Sequence, residues 1–227
     1  MVRGEGERGS TGVSLIHTNN VTLRNIEVQN FGDGIYMGNC NNSVLINNIV
    51  LGNKDEGINI DCPELMYGDF PEQGESHSNL FTGNVVSDNR IGIRNNGRSL
   101  ALIGNTISNN SIYGIDIPGA STGSTIYHNN FINNTRQAVG GVGVRWDNGY
   151  PSGGNYWDSY AGKDSDADGI GDTPYLVDGR YDRYPLMIPW TDMPEPALLP
   201  ILTLLGLISL PALLWRRSTS VIRRVRT

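Results

Sequence analysis

Residues 21–60 read VTLRNIEVQNFGDGIYMGNCNNSVLINNIVLGNKDEGINI, and one pattern is written in them twice. A glycine followed by an aliphatic residue recurs at Gly34-Ile35 and Gly57-Ile58, and an asparagine pair five apart recurs at Asn25/Asn30 and Asn48/Asn53. The short apolar runs VTL, IEV, VLI and IVL sit between these markers. Working outward, the glycine marker reappears at Gly12-Val13, Gly92-Ile93 and Gly114-Ile115, with a weaker sixth start at Ala138-Val139. The first five starts are 22, 23, 35 and 22 residues apart. The asparagine marker reappears at Asn84/Asn89, Asn105/Asn110 and Asn129/Asn134. Self-similarity at a fixed period of this length is the mark of a solenoid.

Three β-prone runs per period, with no helical stretch, predict an all-β fold: a parallel β-helix of about five to six coils. Gly or Asn clusters make its corners, because both residues tolerate positive φ. Stacking coils at ~4.8 Å places like residues on like, and asparagine amides suit such stacking because they can hydrogen-bond in a ladder. A leucine-rich repeat shares the period, but its leucine signature and helix are absent. With 29 Gly and 25 Asn, 18 % charged and 8 % aromatic residues, the composition also disfavours a helical bundle, a coiled coil or a charge-rich disordered chain.

The 35-residue interval holds an insertion, roughly Pro63 to Ser76, that should leave the stack as an acidic loop carrying Tyr67 and Phe70. Insertions of this kind often build the binding face. Two residues after each marker glycine stand Ser14, Tyr36, Asn59, Arg94 and Asp116, which strand alternation places on one outward face. Tyr36, Asn59, Tyr67, Arg94 and Asp116 are the candidate substrate-binding set, with Asp33, Asp55, Glu56 and Asp61 nearby. Carboxylate, guanidinium, amide and phenol together suit a glycan groove, and paired carboxylates suit acid–base glycoside chemistry. The bland alternative is an ordinary solvated solenoid face. Cys40 and Cys62 are 22 apart, one coil, which predicts adjacent turns and either a disulfide or stacked thiols. A copper site would need further soft ligands, and Met37, His17, His77 and His128 are the scattered candidates.

After the coils comes Asp164-Ser-Asp166-Ala-Asp168-Gly169-Ile-Gly-Asp172. Acidic oxygens at alternate positions before a sharp glycine turn are how a loop wraps a hard cation. Asp164, Asp166, Asp168, the Ile170 carbonyl and Asp172 are the candidate Ca2+ ligands, although position 12, where an EF-hand needs Glu, is Tyr175. Tyr156, Trp157, Tyr160, Tyr175, Tyr181 and Tyr184 are expected to pack as the solenoid's cap.

The net charge of −6 is uneven. Residues 1–196 hold all 23 acidic residues against 12 basic ones, net −11, whereas five arginines fall in the last dozen positions. An acidic body disfavours nucleic acid as a partner. Ala197 to Trp215 is a 19-residue uncharged run, long enough to cross a membrane, and Arg216 and Arg217 follow it. Basic residues stay cytoplasmic, so the body should face outside, extracellular or periplasmic. The first twenty residues hold no apolar stretch of the kind an export signal needs, so the chain reads either as the C-terminal part of a longer protein or as one whose tail also directs export. The expected division is 1–11 a truncated or disordered start, 12–145 coils, 146–190 cap, 191–196 linker, 197–215 transmembrane segment and 216–227 basic tail.

Two resemblances add to this reading. Pro194-Glu195-Pro196, the apolar run and the arginines resemble C-terminal sorting signals, which implies processing by a sortase-type enzyme; a plain transmembrane anchor is the alternative. The coils together with GGNYWDSYAGKDSDADGIGDTPYLVDGRYDRYPLM, residues 153–187, resemble the NosD-like right-handed parallel β-helix family. That family is named for periplasmic proteins that help mature copper-containing nitrous oxide reductase, and its coils are of the carbohydrate-binding and sugar-hydrolase type. Three functions follow as expectations: a non-catalytic surface module binding polysaccharide or cell-envelope glycans, with structural Ca2+; a polysaccharide hydrolase or lyase; and a copper-accessory protein.

Overall fold

A left-handed residue ends almost every apolar run, and this local event turns the chain through each coil. In a computed structural model that describes residues 1–61, 76–118, 122–141 and 143–191, φ is positive at one corner at Asn25, Asn47, Gly83, Gly104 and His128. It is positive at a second corner at Asn30, Gly52, Asp88, Asn109 and Asn133, and at a third at Asn20, Asn42, Ser78, Ser99 and Gly123. Glycine and asparagine adopt this conformation at least cost. Met1–Asp192 form one compact unit, and residues 192–227 lie outside the described residues.

The turns separate strands that pair only with their counterparts one coil away. The first sheet has seven strands, from Val2–Arg3 through Glu27–Gln29, Ile49–Leu51, Val85–Ser87, Thr106–Ser108 and Asn130–Ile132 to Tyr156–Trp157. The second has six: Thr11–Ile16, Asp33–Gly38, Glu56–Asp61, Ile91–Asn95, Tyr113–Asp116 and Arg136–Val139. The third has five: Thr22–Arg24, Val44–Ile46, Leu80–Thr82, Ala101–Ile103 and Thr125–Tyr127. All pairings within these sheets are parallel, and an antiparallel hairpin, Tyr175–Val177 with Arg180–Asp182, follows them. The result is an all-β solenoid of about six turns with no helix among the described residues. The insertion expected over Pro63 to Ser76 falls almost wholly outside the described residues, and the stack resumes at Ser76.

Register makes the core. Val28, Val50, Val86, Ile107, Phe131 and Trp157 form one inward column of the first sheet. Val13, Ile35, Ile58, Ile93, Ile115 and Ala138 form another in the second. From the second coil on, these side chains are essentially buried, each contributing about 1.5–3 kcal/mol. The marker glycines lie beside the second column. A Cβ on Gly34 would stand 2.5 Å from Val50 Cγ1 and 2.6 Å from the Gly57 carbonyl, and Gly57, Gly92 and Gly114 meet the same obstruction one coil on.

Two asparagine ladders line the interior. In the first, the backbone N–H and Nδ2 of Asn48 both donate to Asn84 Oδ1, and this repeats through Asn105, Asn129 and Asn155. The second runs Asn53, Asn89, Asn110, Asn134 in the same way. The ladder residue directly follows the left-handed one. Asn25 and Asn30, grouped with the ladder by spacing, are therefore left-handed corner residues. Ile26 and Phe31 hold the ladder level in that coil and donate their N–H groups to Asn48 and Asn53.

Candidate functional site

The outward face of the second sheet carries the expected row. Ser14 pairs with Tyr36, Tyr36 with Asn59, Asn59 with Arg94 and Arg94 with Asp116, so one such side chain is presented per coil. A second row beside it contains Asp33, Glu56, Ile91 and Tyr113, of which Glu56 and Ile91 are buried. The rows are cross-linked: Asn59 Nδ2 donates to Asp33 Oδ2 at 3.0 Å, and Arg94 Nη1 stands 3.6 Å from Glu56 Oε1. The Tyr36 hydroxyl donates to Asp61 Oδ2 at 3.2 Å, and Asn96 Nδ2 approaches Asp61 Oδ1 at 3.5 Å.

These contacts set an uneven electrostatic balance. Glu56 is 8 % exposed. Burial, then the hydrogen bond and charge of Asp33, push its carboxyl up to about 7 against the opposing pull of Arg94. Burial raises Asp116 as well, with Arg94 again opposing. Tyr36 is pushed up to about 12 by burial and by Asp61. One guanidinium thus serves two carboxyl groups, of which Glu56 is also crowded by Asp33 and Asp55. Tyr67, the remaining member of the expected set, lies outside the described residues.

The cap closes the C-terminal end through ring stacking. Trp157 lies between Phe131, at 4.4 Å centroid distance, and Tyr175, at 4.6 Å, while Trp146 contacts both Phe131 and Trp157. Tyr160 meets Tyr175 edge-on, whereas Tyr181 is exposed and takes no place in this stack. A fully buried carboxylate, Asp182, ends the first ladder. Its Oδ2 accepts from Asn155 N–H at 2.7 Å and Trp157 Nε1 at 2.8 Å, and its Oδ1 accepts from Tyr184 N–H at 3.1 Å. Burial pushes Asp182 up to about 6, and its donors oppose that shift. Asp182 also explains Gly154, where any Cβ would collide with the carboxylate. Arg183 grips the buried Asp147 through Nε at 3.0 Å and Nη2 at 2.8 Å. Burial alone would raise Asp147, but the hydrogen bonds and charge of Arg183 hold it below the usual carboxylate range.

Beside this ion pair lies the acidic loop. Carboxylate oxygens of Asp164, Asp166 and Asp172 lie within 4.8 Å of one another. Asp168 is not part of this group; its Oδ1 accepts from Ile170 N–H at 2.8 Å. Asp164 accepts from the N–H groups of Asp168 and Gly169, and Asp172 from Ser165 Oγ at 2.6 Å. Ile170 forms an antiparallel bridge with Leu186, which ties the loop to the chain leaving the cap. Tyr150, Asp166, Asp168, Asp172, Arg183 and Tyr184 border a cleft of about 190 Å³ here.

Asp182 and the Asp147–Arg183 pair were not singled out in the sequence, where no motif or period marks them. Of the cysteine pair, Cys40 is buried, with Sγ 3.3 Å from Thr18 Oγ1, and Cys62 lies outside the described residues. The strand that leads toward Cys62 pairs Gly38 with Asp61, a separation of 23 against the 22 on which the disulfide expectation rests. The run 197–215 and the motif before it also lie outside the described residues, among which no helix is long and apolar enough to cross a membrane.

An asparagine-laddered parallel β-helix with a polar sheet face and an aromatic cap is a solenoid repeat protein, in which each coil contacts only its neighbours. More narrowly, residues 2–162 match the family model described as periplasmic copper-binding protein (NosD), and the chain belongs to that family. No match was found among curated proteins. The family description implies copper, which favours imidazole, thiolate and thioether donors. The described residues do not assemble such a set. His17 Nδ1 is 3.4 Å from Asn39 Nδ2, His77 Nδ1 is 3.1 Å from Ser78 Oγ, and His128 stacks on Trp190 with Nε2 2.7 Å from the Ser152 carbonyl. Met37 and Cys40 are core residues. The one His, Cys, Asp and Glu grouping among the described residues is the Asp164, Asp166 and Asp172 trio, whose oxygens suit hard cations.

Proposed function

We propose that the protein is a non-catalytic binding module of the periplasmic or outer cell face, whose second sheet holds a polysaccharide or cell-envelope glycan along the solenoid axis. The observation that carries this reading is the in-register row Tyr36, Asn59, Arg94, Asp116, which repeats hydrogen-bonding groups once per coil beside Asp33, Glu56 and Asp61. Binding is favoured over hydrolysis by the closeness of Asp33 and Glu56. The Asp33 carboxylate accepts the Glu56 backbone N–H at 3.3 Å and raises the Glu56 carboxyl, a closer approach than the separation of about 5–5.5 Å for glycoside cleavage with retention or about 6.5–9.5 Å with inversion. In this reading Ca2+ rests on Asp164, Asp166 and Asp172 and stiffens the cap, and residues 197–215 hold the body at the membrane, with or without sortase-type processing at 194–196.

An array of bacterial and archaeal envelope glycans tests the reading. Asn59→Ala should weaken any hit at least tenfold, and undiminished binding by that variant would remove the row from the site. Release of reducing or unsaturated sugars by the purified chain would convert the reading to an enzyme. A copper-accessory role is the second reading, favoured by the family match; stoichiometric copper retained after dialysis would support it.

A further inference from the structure

We infer that the ligand of the second sheet is cationic, a glycan bearing free ammonium groups such as a de-N-acetylated amino-sugar polymer, and that it docks on the acceptors of Asp33, Glu56, Asn59 and Asp61 on neighbouring coils. This rests on the glycan-binding reading above and names the ligand's chemistry.

Three observations point the same way. First, the network is rich in acceptors. Asp33 receives Asn59 Nδ2 and the Glu56 N–H, and Asp61 receives the Tyr36 hydroxyl and Asn96 Nδ2. Arg94, 3.6 Å from Glu56, is the guanidinium that opposes the upward shifts of both Glu56 and Asp116.

Second, Asn59 Oδ1 is buried and has no donor. Turning the amide over would not relieve it, because Nδ2 is committed to Asp33 and the swap would set oxygen against carboxylate. An orphaned buried acceptor costs about 1–3 kcal/mol, a cost that a ligand bringing N–H donors removes. An ammonium group brings three donors and no acceptor, whereas a hydroxyl brings one donor with two lone pairs, and a carboxylate brings acceptors alone.

Third, the acceptors lie on two neighbouring coils ~4.8 Å apart, so a polymer lying along the axis meets Asp33 and then Glu56, Asn59 and Asp61. The charged groups facing Glu56 are Asp33 from the preceding strand, Arg94 from the following one and Asp55 from its own. Because Glu56 holds a proton up to about pH 7, docking of a cation releases that proton, and affinity rises with pH between about 5 and 7.5.

Isothermal titration of the full chain with a glucosamine oligomer, its N-acetylated counterpart and a neutral glucan oligomer tests the inference. The expected result is at least tenfold tighter binding of the free-amine oligomer at pH 7.5. Enthalpies that vary with buffer should report proton release, and the preference should fall in Asp33→Asn and in Glu56→Gln. Equal or tighter binding of the N-acetylated or neutral oligomer would overturn the cationic assignment and leave the glycan-binding reading standing. No binding of any glycan there or on the envelope array would remove both. Circular dichroism of both variants confirms the fold, and a preference retained in two folded variants also overturns the inference.

Discussion

Replacing Asn105 by alanine should destabilise the body by about 4 kcal/mol. Asn105 is fully buried at the middle of the first ladder. Its Oδ1 accepts from the Asn84 backbone N–H and Nδ2, both at 2.9 Å, and its Nδ2 donates to Asn129 Oδ1, Phe81 O and Ile103 O. Alanine removes all five bonds. Asn84 Nδ2 keeps the Leu45 carbonyl, so the main loss is the Asn84 N–H, left without this acceptor in a dry interior at about 2 kcal/mol. Weakened partners and the small cavity contribute about 2 kcal/mol more. Asn109, next along the chain but exposed and left-handed, is the contrast. Asn109→Gly should change stability by less than about 1 kcal/mol, because glycine accepts that conformation freely. Urea unfolding of both variants, with m-values compared to confirm two-state behaviour, gives the difference directly. A cost below about 1 kcal/mol for Asn105→Ala, or equal costs for the two variants, would refute the ladder as a source of stability.

Three further outcomes are expected. Asp182, raised to about 6 in the folded body, stays protonated there at pH values where the unfolded chain has released its proton. Its contribution is therefore fully present below about pH 4 and lost as pH rises through 6, by up to about 3 kcal/mol. Glu56 acts in the same direction, so Asp182→Asn should reduce the pH 4–6 slope of the stability curve without abolishing it, and an unchanged slope would contradict the assignment. Adding Ca2+ to EDTA-treated protein should raise its melting temperature, with the response lost in Asp166→Ala and Asp172→Ala, whose oxygens lie together, and reduced less in Asp168→Ala; a calcium-independent melting curve in the parent chain would leave the trio as a solvated turn. Gly92→Ala, which sets a methyl 2.5 Å from the Gly114 carbonyl, should cost more than 3 kcal/mol by the same unfolding measurement; a cost under 1 kcal/mol would show that the coil spacing can give way.

The solenoid was legible because it depends on features that repeat. The marker glycine recurs wherever the chain passes too close to the next coil for a Cβ, and the outward row followed from strand alternation alone. Asparagine was less transparent, since the residue serves two purposes at neighbouring positions. Asn47 and Asn48, Asn109 and Asn110, and Asn133 and Asn134 each join a left-handed corner residue to a ladder residue. Where only the corner residue is asparagine, as at Asn25 and Asn30, the spacing marker falls one position early. The cap was least legible. Asp182 reaches Asn155 across 27 residues and Arg183 reaches Asp147 across 36, and single contacts of this kind have no period. Within the acidic loop, alternation offers every second carboxylate equally, whereas the fold sets Asp168 apart from the other three.

The Oδ1 atoms of the first ladder all face the same way. From Asn48 to Asn155 each residue donates its backbone N–H and Nδ2 to the acceptor on the C-terminal side, while Nδ2 also donates to a carbonyl of the coil before. Stacked amides so aligned add their dipoles, as peptide units do along an α-helix, and the positive end emerges at Asn155. Asp182 stands at that end and receives both the N–H and the Nδ2 of Asn155. The carboxylate is therefore an electrostatic terminus as well as a hydrogen-bonding one, since it places a negative charge where the field of the column is most positive. The second ladder passes through the neutral amide of Gln137 to Asp158, so its counter-charge stands one amide further out and exposed to solvent, and fraying of the C-terminal coils should begin on its side of the solenoid.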